Sequence, residues 1–447
     1  MATTYLTRTP SSAGNRKTWT ASVWLKGQPS TTINNIAGQA VYSAGSAATD
    51  RTHFYFTNGI FELRTEIGNT QQIITTNQVF TDPASWYHFV VAVDSTQSTD
   101  TNRVKFFVNG VQITSFSAAA YLAQNADTYV NHTVIQTIGK SSWSDASYFN
   151  GQMSHFHMVD GTAYDASAFG STDATTGEWT INTSPSVTYG TNGFTILKDG
   201  NTITDQSSNS NNWTLGGGTL TNTEDCPDNV FATLNPLMAL GSNIAYSNGN
   251  LTITPGTSDY KTTASTIAVS SGKFYTEFKA VSGHNGSTDV SIGIVGADTF
   301  LASTGSKAMS AYTNAFSYGS GGLVKQYNGS TIRTDATYTN GDIIGIAVDM
   351  DNLKLYWSKN GTFQNSGNPA SGSTGTGAVS ITAGQPYYIC AATISSGGVK
   401  VFSANFGNGY FGTTAVASEG TNASGNGIFE YDVPTGYTAL STKGLNI

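Results

Sequence analysis

Charge is what this chain has least of. Of its 447 residues only 11% are Asp, Glu, Lys or Arg, against about 25% in ordinary globular domains. The acidic excess, a net charge of −8, leaves no basic stripe to neutralise phosphates, so nucleic acid is not an expected partner. No apolar run approaches the roughly 20 residues needed to span a bilayer, and no membrane insertion is expected. The first 17 residues are polar and lack the apolar core of a signal peptide, which implies synthesis in a cytosol. There are two cysteines, Cys226 and Cys390, far apart in sequence and assigned to different domains. In a reducing compartment they are expected to stay unpaired.

A sustained helical apolar period is also missing. What the chain has instead is glycine, 49 residues of it, with aromatics at 11% and eleven Asn-Gly pairs, from Asn58-Gly59 to Asn426-Gly427. Abundant aromatics argue against disorder, because disordered chains lack the apolar surface to collapse. Short strands joined by many tight turns fit this composition. The expected fold class is all-β: two antiparallel β-sandwich (jelly-roll) domains in tandem, with less than about a tenth of the residues in helix.

Residues 340–361 make the clearest pattern. A β-branched run ends at Asp349-Met350-Asp351-Asn352, which suits a chain reversal. The return segment alternates Leu353, Leu355 and Trp357 against Lys354, Tyr356 and Ser358, then stops at Asn360-Gly361. This order resembles the core of SPRY domains. Residues 272–278, 290–296, 385–392, 399–407 and 434–440 fit the same resemblance, which implies a binding module that performs no chemistry.

A second pattern lies in the N-terminal half. Residues 18–26 alternate around Trp19 and Trp24, and residues 85–94, 104–111, 137–140 and 149–161 follow as further strands. Together they resemble a laminin-G-like, concanavalin-A-like jelly roll over residues 1–165. The tract 160–237 then carries Phe169-Gly170, Glu178-Trp179, Asn212-Trp213 and the segment 225–237 around Cys226. It resembles a tract that recurs in virion proteins of tailed bacteriophages, between laminin-G-like and SPRY modules. The expected domains are therefore 1–237, of which 160–237 is a Gly/Asn/Ser-rich extension, and 238–447, meeting near residues 236–262.

Catalytic chemistry is not evident. Retaining glycosidases of this architecture resemble one another in a Glu-x-Asp-x-x-Glu strand that sets two carboxylates about 5 Å apart. No such string occurs, and the nearest acids are Asp349 with Asp351 and the separated Glu62 and Glu66. No catalytic residue is assigned. His155 and His157, two apart in a strand, share a face. Without a third ligand they read as two polar-face histidines, or one of them packed under a loop, and no metal site is assigned. The laminin-G resemblance implies one rim calcium at most, to which Asp94 or Asp160 would contribute. Solvated turn roles are expected for both, and no cofactor is assigned.

Trp19, Trp24, Trp86 and Trp357 sit in alternating strands and are expected in cores. Trp143 and Trp213, in polar loop-like surroundings, are expected either packed under a loop or, if a binding surface exists, as the preferred ligand contacts of the first domain, with Tyr318 and Tyr327 in the second. Trp179 and Tyr338 are comparable. The binding surface is expected on loops and not on sheet faces.

The resemblances imply a structural or adhesive bacteriophage component: a tail fibre, head fibre or capsid decoration, located in the virion. Its partners would be other virion proteins and host-surface polysaccharide, and it would be oligomeric within the particle. The alternatives are a carbohydrate-active enzyme or carbohydrate-binding module of the concanavalin-A-like class, and a cellular SPRY-type recognition module.

Overall fold

The computed structural model describes residues 3–27, 38–82, 84–198, 200, 202–241, 243–256, 259–286, 290–303, 305 and 307–446. The fold is all-β, as antiparallel sheets, and Ala297–Ala302 is the one α-helix among the described residues. The chain divides into two compact units, Met1–Asn222 and Thr223–Ile447. The division falls before residue 237 because Leu234–Leu240 is a strand of the second unit, paired with Lys261–Val269. Cys226 therefore shares the second unit with Cys390, contrary to the sequence expectation, and both thiols are free.

The first unit is a sandwich of two sheets. In spatial order the eight-stranded sheet runs Phe116–Ala119, Thr70–Val79, Ile60–Ile67, Asp50–Thr57, Gln39–Ala47, Gln136–Ile138, Tyr5–Arg8, Thr214–Gly217. The six-stranded sheet runs Phe194–Ile196, Gly151–Asp160, Thr18–Gly27, Tyr87–Asp94, Val104–Val108, Val111–Ile113. Their inner faces share a core that includes Trp19, Val23, Phe54, Phe61, Leu63, Ile74, Phe89 and Phe106. Period-two patterning decides which residues face inward, since neighbouring strand side chains leave opposite faces.

The Gly/Asn/Ser-rich extension proves to be part of this sandwich. It adds the strand Phe194–Ile196 to one sheet and Thr214–Gly217 to the other. Its polar side chains satisfy backbone groups that no ladder reaches. Asp205 accepts hydrogen bonds from the amides of Thr195, Ser207 and Asn211, all at 2.8–2.9 Å. Asp160 accepts from the amides of Asn15 and Asn192 and from Asn131 Nδ2.

The second unit repeats the plan. Its seven-stranded sheet runs Leu234–Leu240, Lys261–Val269, Tyr387–Thr393, Ser291–Gly296, Ala315–Gly319, Leu323–Gln326, Ser330–Thr334. The facing sheet centres on Val401–Asn405, Lys273–Ser282, Ile343–Asp349 and Lys354–Lys359. Trp357, Leu355, Ile346 and Phe278 lie in the core between them. The Asp349 carboxylate organises the expected reversal: it accepts from Asn352 N and Nδ2 and pairs with Lys273 at 3.1 Å. Asn360 and Gly361 both take positive φ, 47° and 79°, the geometry of a tight hairpin turn. The alternation misleads at Tyr356. Its side is not solvated, because Phe429, Val433 and Tyr437 cover it from the C-terminal segment.

Candidate functional site

Two antiparallel strands of the first unit, Asp50–Thr57 and Ile60–Ile67, set three cross-strand pairs opposite one another: Arg51 with Glu66, His53 with Arg64, Tyr55 with Glu62. The intervening residues Phe54, Phe61 and Leu63 fill the core. All six polar side chains therefore leave the outer face of the eight-stranded sheet. Ser43 joins from one neighbouring strand opposite His53, and Thr75 from the other opposite Glu62.

These groups form a connected network. Arg51 Nη2 lies 2.6 Å from Glu66 Oε1, and Arg64 Nε 2.9 Å from Glu62 Oε1. Glu62 also accepts from Tyr55 Oη at 2.5 Å and Thr75 Oγ1 at 3.0 Å. Burial, then the hydrogen bond to Glu62, pushes the Tyr55 phenol far above its ordinary pKa. Burial, followed by the Arg51 and Arg64 charges, holds His53 well below the ordinary histidine value, so its ring is neutral. Arg51 Nε and His53 Nε2 are buried without a hydrogen-bond partner. Such orphaned donors or acceptors are costly unless a ligand or water completes them.

Trp143 caps one end of this face. Its ring lies 4.0 Å from the Arg51 guanidinium carbon, a cation–π contact, and 4.9 Å edge-on from His53. The arrangement offers an indole, a phenol, a guanidinium one quarter exposed at Arg64, and two carboxylates already paired. That chemistry suits holding a polar, ring-containing ligand. Glu62 and Glu66 share one guanidinium, with Arg64 Nε 2.9 Å from Glu62 Oε1 and Arg64 Nη1 3.9 Å from Glu66 Oε1.

The sequence-predicted contacts separate. Trp143 is half-buried against Arg51 and His53, and Tyr327 stands exposed at 46%. Trp213 and Tyr318 are not loop contacts: their exposures are 4% and 0%. Trp213 meets Phe194 edge-on at 5.0 Å in the first core. Tyr318 lies in a strand of the second core, its hydroxyl donating to Ala336 O. Tyr338 is likewise fully buried. These polar-looking surroundings are tight turns that fold back over the rings. The cluster on the sheet face was legible as Arg51-x-His53-x-Tyr55 and Glu62-x-Arg64-x-Glu66, two charged period-two strings that an assumption of loop-borne binding passes over.

Of the two readings of His155 and His157, packing under a loop is the one the structure bears out, and both rings are buried. A register irregularity between Ser154 and His157, with His155 at φ 49°, turns them under the 160–190 segment. His157 Nδ1 lies 2.8 Å from Tyr189 Oη, and burial lowers its pKa to about 3. Among the described residues no three His, Cys, Asp or Glu side chains converge as metal ligands. Asp94 and Asp160, the acids considered for calcium, have their oxygens taken up by protein donors. Asp160 is moreover buried and not a solvated turn residue. The residues present do not fit a calcium site.

Residues 2–167 match the family model described as Concanavalin A-like lectin/glucanases superfamily. No curated protein matches the chain. Among solved structures, the SPRY domain of human HERC1 is similar at 18% identity, covering 38% of this chain and 96% of that one, with a TM-score of 0.30. Domains LG4-5 of the mouse laminin alpha1 chain are similar at 10% identity, covering 87% and 79%, with a TM-score of 0.29. A SAP-like pentraxin from Limulus polyphemus is similar at 13% identity, covering 36% and 72%, with a TM-score of 0.26.

Proposed function

We propose that the chain is a binding protein and not an enzyme, and that its first unit holds a saccharide at the outer face of the eight-stranded sheet. The network Arg51–Glu66, Arg64–Glu62 and Tyr55 beneath Trp143 carries this reading, because it pairs ring surfaces with bidentate-capable charged groups. The concanavalin A-like match of residues 2–167 supports it. We further propose that the protein serves in a bacteriophage particle as tail fibre, head fibre or capsid decoration, engaging host-surface polysaccharide or partner virion proteins. The resemblance of the 160–237 tract to virion proteins supports that placement. The pairing of both Glu62 and Glu66 with arginine disfavours the glycosidase alternative, which needs one carboxyl free to pass a proton to the leaving group.

The binding reading is tested by titrating the full chain against a panel of bacterial surface polysaccharides. Binding that weakens at least tenfold in Arg64→Ala and Trp143→Ala, with each variant still unfolding in one cooperative transition above the assay temperature, is the expected result. Binding indifferent to both substitutions would overturn the site. The particle reading is tested by mass spectrometry of purified phage, where the chain's peptides are expected at stoichiometric abundance.

A further inference from the structure

The second unit holds a hollow that the sheet-face site of the first does not involve. It lies on the outer side of the seven-stranded sheet and measures about 90 Å³. The register explains it. Ser291 stands opposite Gly319 on one side and Ala392 on the other, and Ser317 stands opposite Lys325. The alternate residues Ile292, Tyr318 and Val324 point into the core, so this small-residue set must face outward. Met309 and Ser310, from the single-turn segment Met309–Ala311, form a wall beside Tyr260.

The polar groups here are unusual in being unspent. Among the described residues, Lys325 makes no ion pair or hydrogen bond, and the hydroxyls of Ser291, Ser310 and Ser317 make none. No Asp or Glu lines the hollow. A half-buried ammonium and three hydroxyls, with no carboxylate to balance them, form a donor-rich pocket. At about 90 Å³ it is smaller than the ~150 Å³ cavity that takes up a benzene ring, so it admits one small charged group and not a whole sugar ring. Charge-assisted hydrogen bonds from lysine to an oxyanion are the strongest interaction such a pocket can offer.

We infer that this hollow is a binding site for a small oxyanion group, a carboxylate or a sulfate, free or pendant on an acidic saccharide whose remainder lies outside. Lys325 supplies the charge, the three serines the directional hydrogen bonds, and Met309 and Tyr260 the apolar wall. The inference concerns the second unit alone and stands whether or not the first binds glycan.

Methyl-labelled methionine provides the test, because the full chain has six methionines and one of them, Met309, is a fully buried wall of the hollow. Its resonance, assigned with Met309→Leu, is followed during titration with sodium glucuronate, sodium sulfate, glucose, and sodium chloride at matched ionic strength. The expected result is a saturable shift with glucuronate or sulfate and none with glucose or chloride. Whichever anion acts at lower concentration identifies the group preferred. Lys325→Gln, and Ser317→Val by filling the hollow, should each weaken the response at least tenfold, while the resonances of Met153, Met158 and Met350 stay in place as evidence of folding. No saturable shift in the unsubstituted protein overturns the inference without recourse to any variant. So does an equal response to chloride, or a response retained in both variants.

Discussion

Trp179 Nε1 lies 3.0 Å from His88 Nδ1, and this contact fixes the protonation of a buried histidine. An indole nitrogen only donates, so Nδ1 must be the bare, accepting nitrogen. The ring proton then sits on Nε2, 2.8 Å from Ser22 Oγ, and the imidazole donates to the serine. The pair looks like a nucleophile and its base, but the tautomer runs the opposite way to the one a general base needs. The ring is also sandwiched between Trp24 at 4.9 Å and Trp179 at 6.0 Å. Its role is to clamp the extension onto the sheet. A Cβ on Gly110 would fall 2.4 Å from the Trp179 ring, so this turn glycine is part of the same clamp.

Burial, then the charge of His155, lowers the pKa of His88 to about 3. The unfolded chain binds a proton near pH 6.5. Between those values the unfolded state holds more protons, so stability falls as pH drops from 6.5 toward 3. The slope is about 1.4 kcal/mol per pH unit for this one group. Urea unfolding of the first unit at pH 7, 6 and 5 is expected to show this loss. His88→Gln should flatten part of it in a range where carboxylates barely titrate. An unaltered slope in that variant would show that His88 is not the group responsible.

Trp213→Ala is expected to unfold the first unit at lower denaturant without acting on any ligand directly. Its ring is buried against Phe194, and truncating a buried tryptophan costs about 3–5 kcal/mol. Trp143→Ala should cost far less, since it removes a half-buried cation–π cap worth about 0.5–2 kcal/mol. A comparison of the two urea midpoints decides it, and equal losses would contradict the placement.

The contrast between those tryptophans marks how far the sequence carries. All four of Trp19, Trp24, Trp86 and Trp357 are buried. Alternation accounts for Trp19 and Trp357 on the core faces, whereas Trp24, an odd number of residues from Trp19, leaves the opposite face and is covered through its stack on His88. The hairpin at Asn360-Gly361 was equally legible, since few residues adopt positive φ. Trp213 and Tyr318 misled because local polarity says nothing about long-range coverage. Trp213 is enclosed by a core built from residues distant in sequence, and the Tyr318 hydroxyl is satisfied by a carbonyl eighteen residues on. The candidate site was missed for a related reason. A charged strand face reads as solvated until its pairing partner is known, and only the register places Arg51 opposite Glu66.

The domain boundary can be tested by truncation. Phe231, Ala232 and Leu234 are buried in the second unit's clusters, with exposures of 1% or less. A fragment 223–447 is expected to fold with a cooperative thermal transition. A fragment 238–447 loses two large core side chains and should be destabilised by several kcal/mol, at about 2–5 for each. Equal midpoints for the two fragments would move the boundary back to residue 237.

The second unit should respond to pH in the opposite sense to the first. Glu277 is fully buried, and its carboxylate accepts from the amides of Glu430 and Tyr431, both at 2.9 Å, from Tyr275 Oη at 3.2 Å and from Asn405 Nδ2 at 3.4 Å. Burial raises its pKa to about 7, against the pull of those donors toward the charged form. A carboxyl with a folded pKa above its unfolded value, here 4.5, binds more protons in the native state. Its contribution is therefore full below pH 4.5 and is lost as pH rises through 7, at about 1.4 kcal/mol per unit. Urea midpoints of fragment 223–447 between pH 5 and 8 are expected to decline, and Glu277→Gln to remove most of that decline. The variant loses an acceptor oxygen to an NH₂ group that faces other donors, so its midpoint should also be lower at every pH. A midpoint that rises with pH, or a decline that survives Glu277→Gln intact, would show that Glu277 is already ionised across this range.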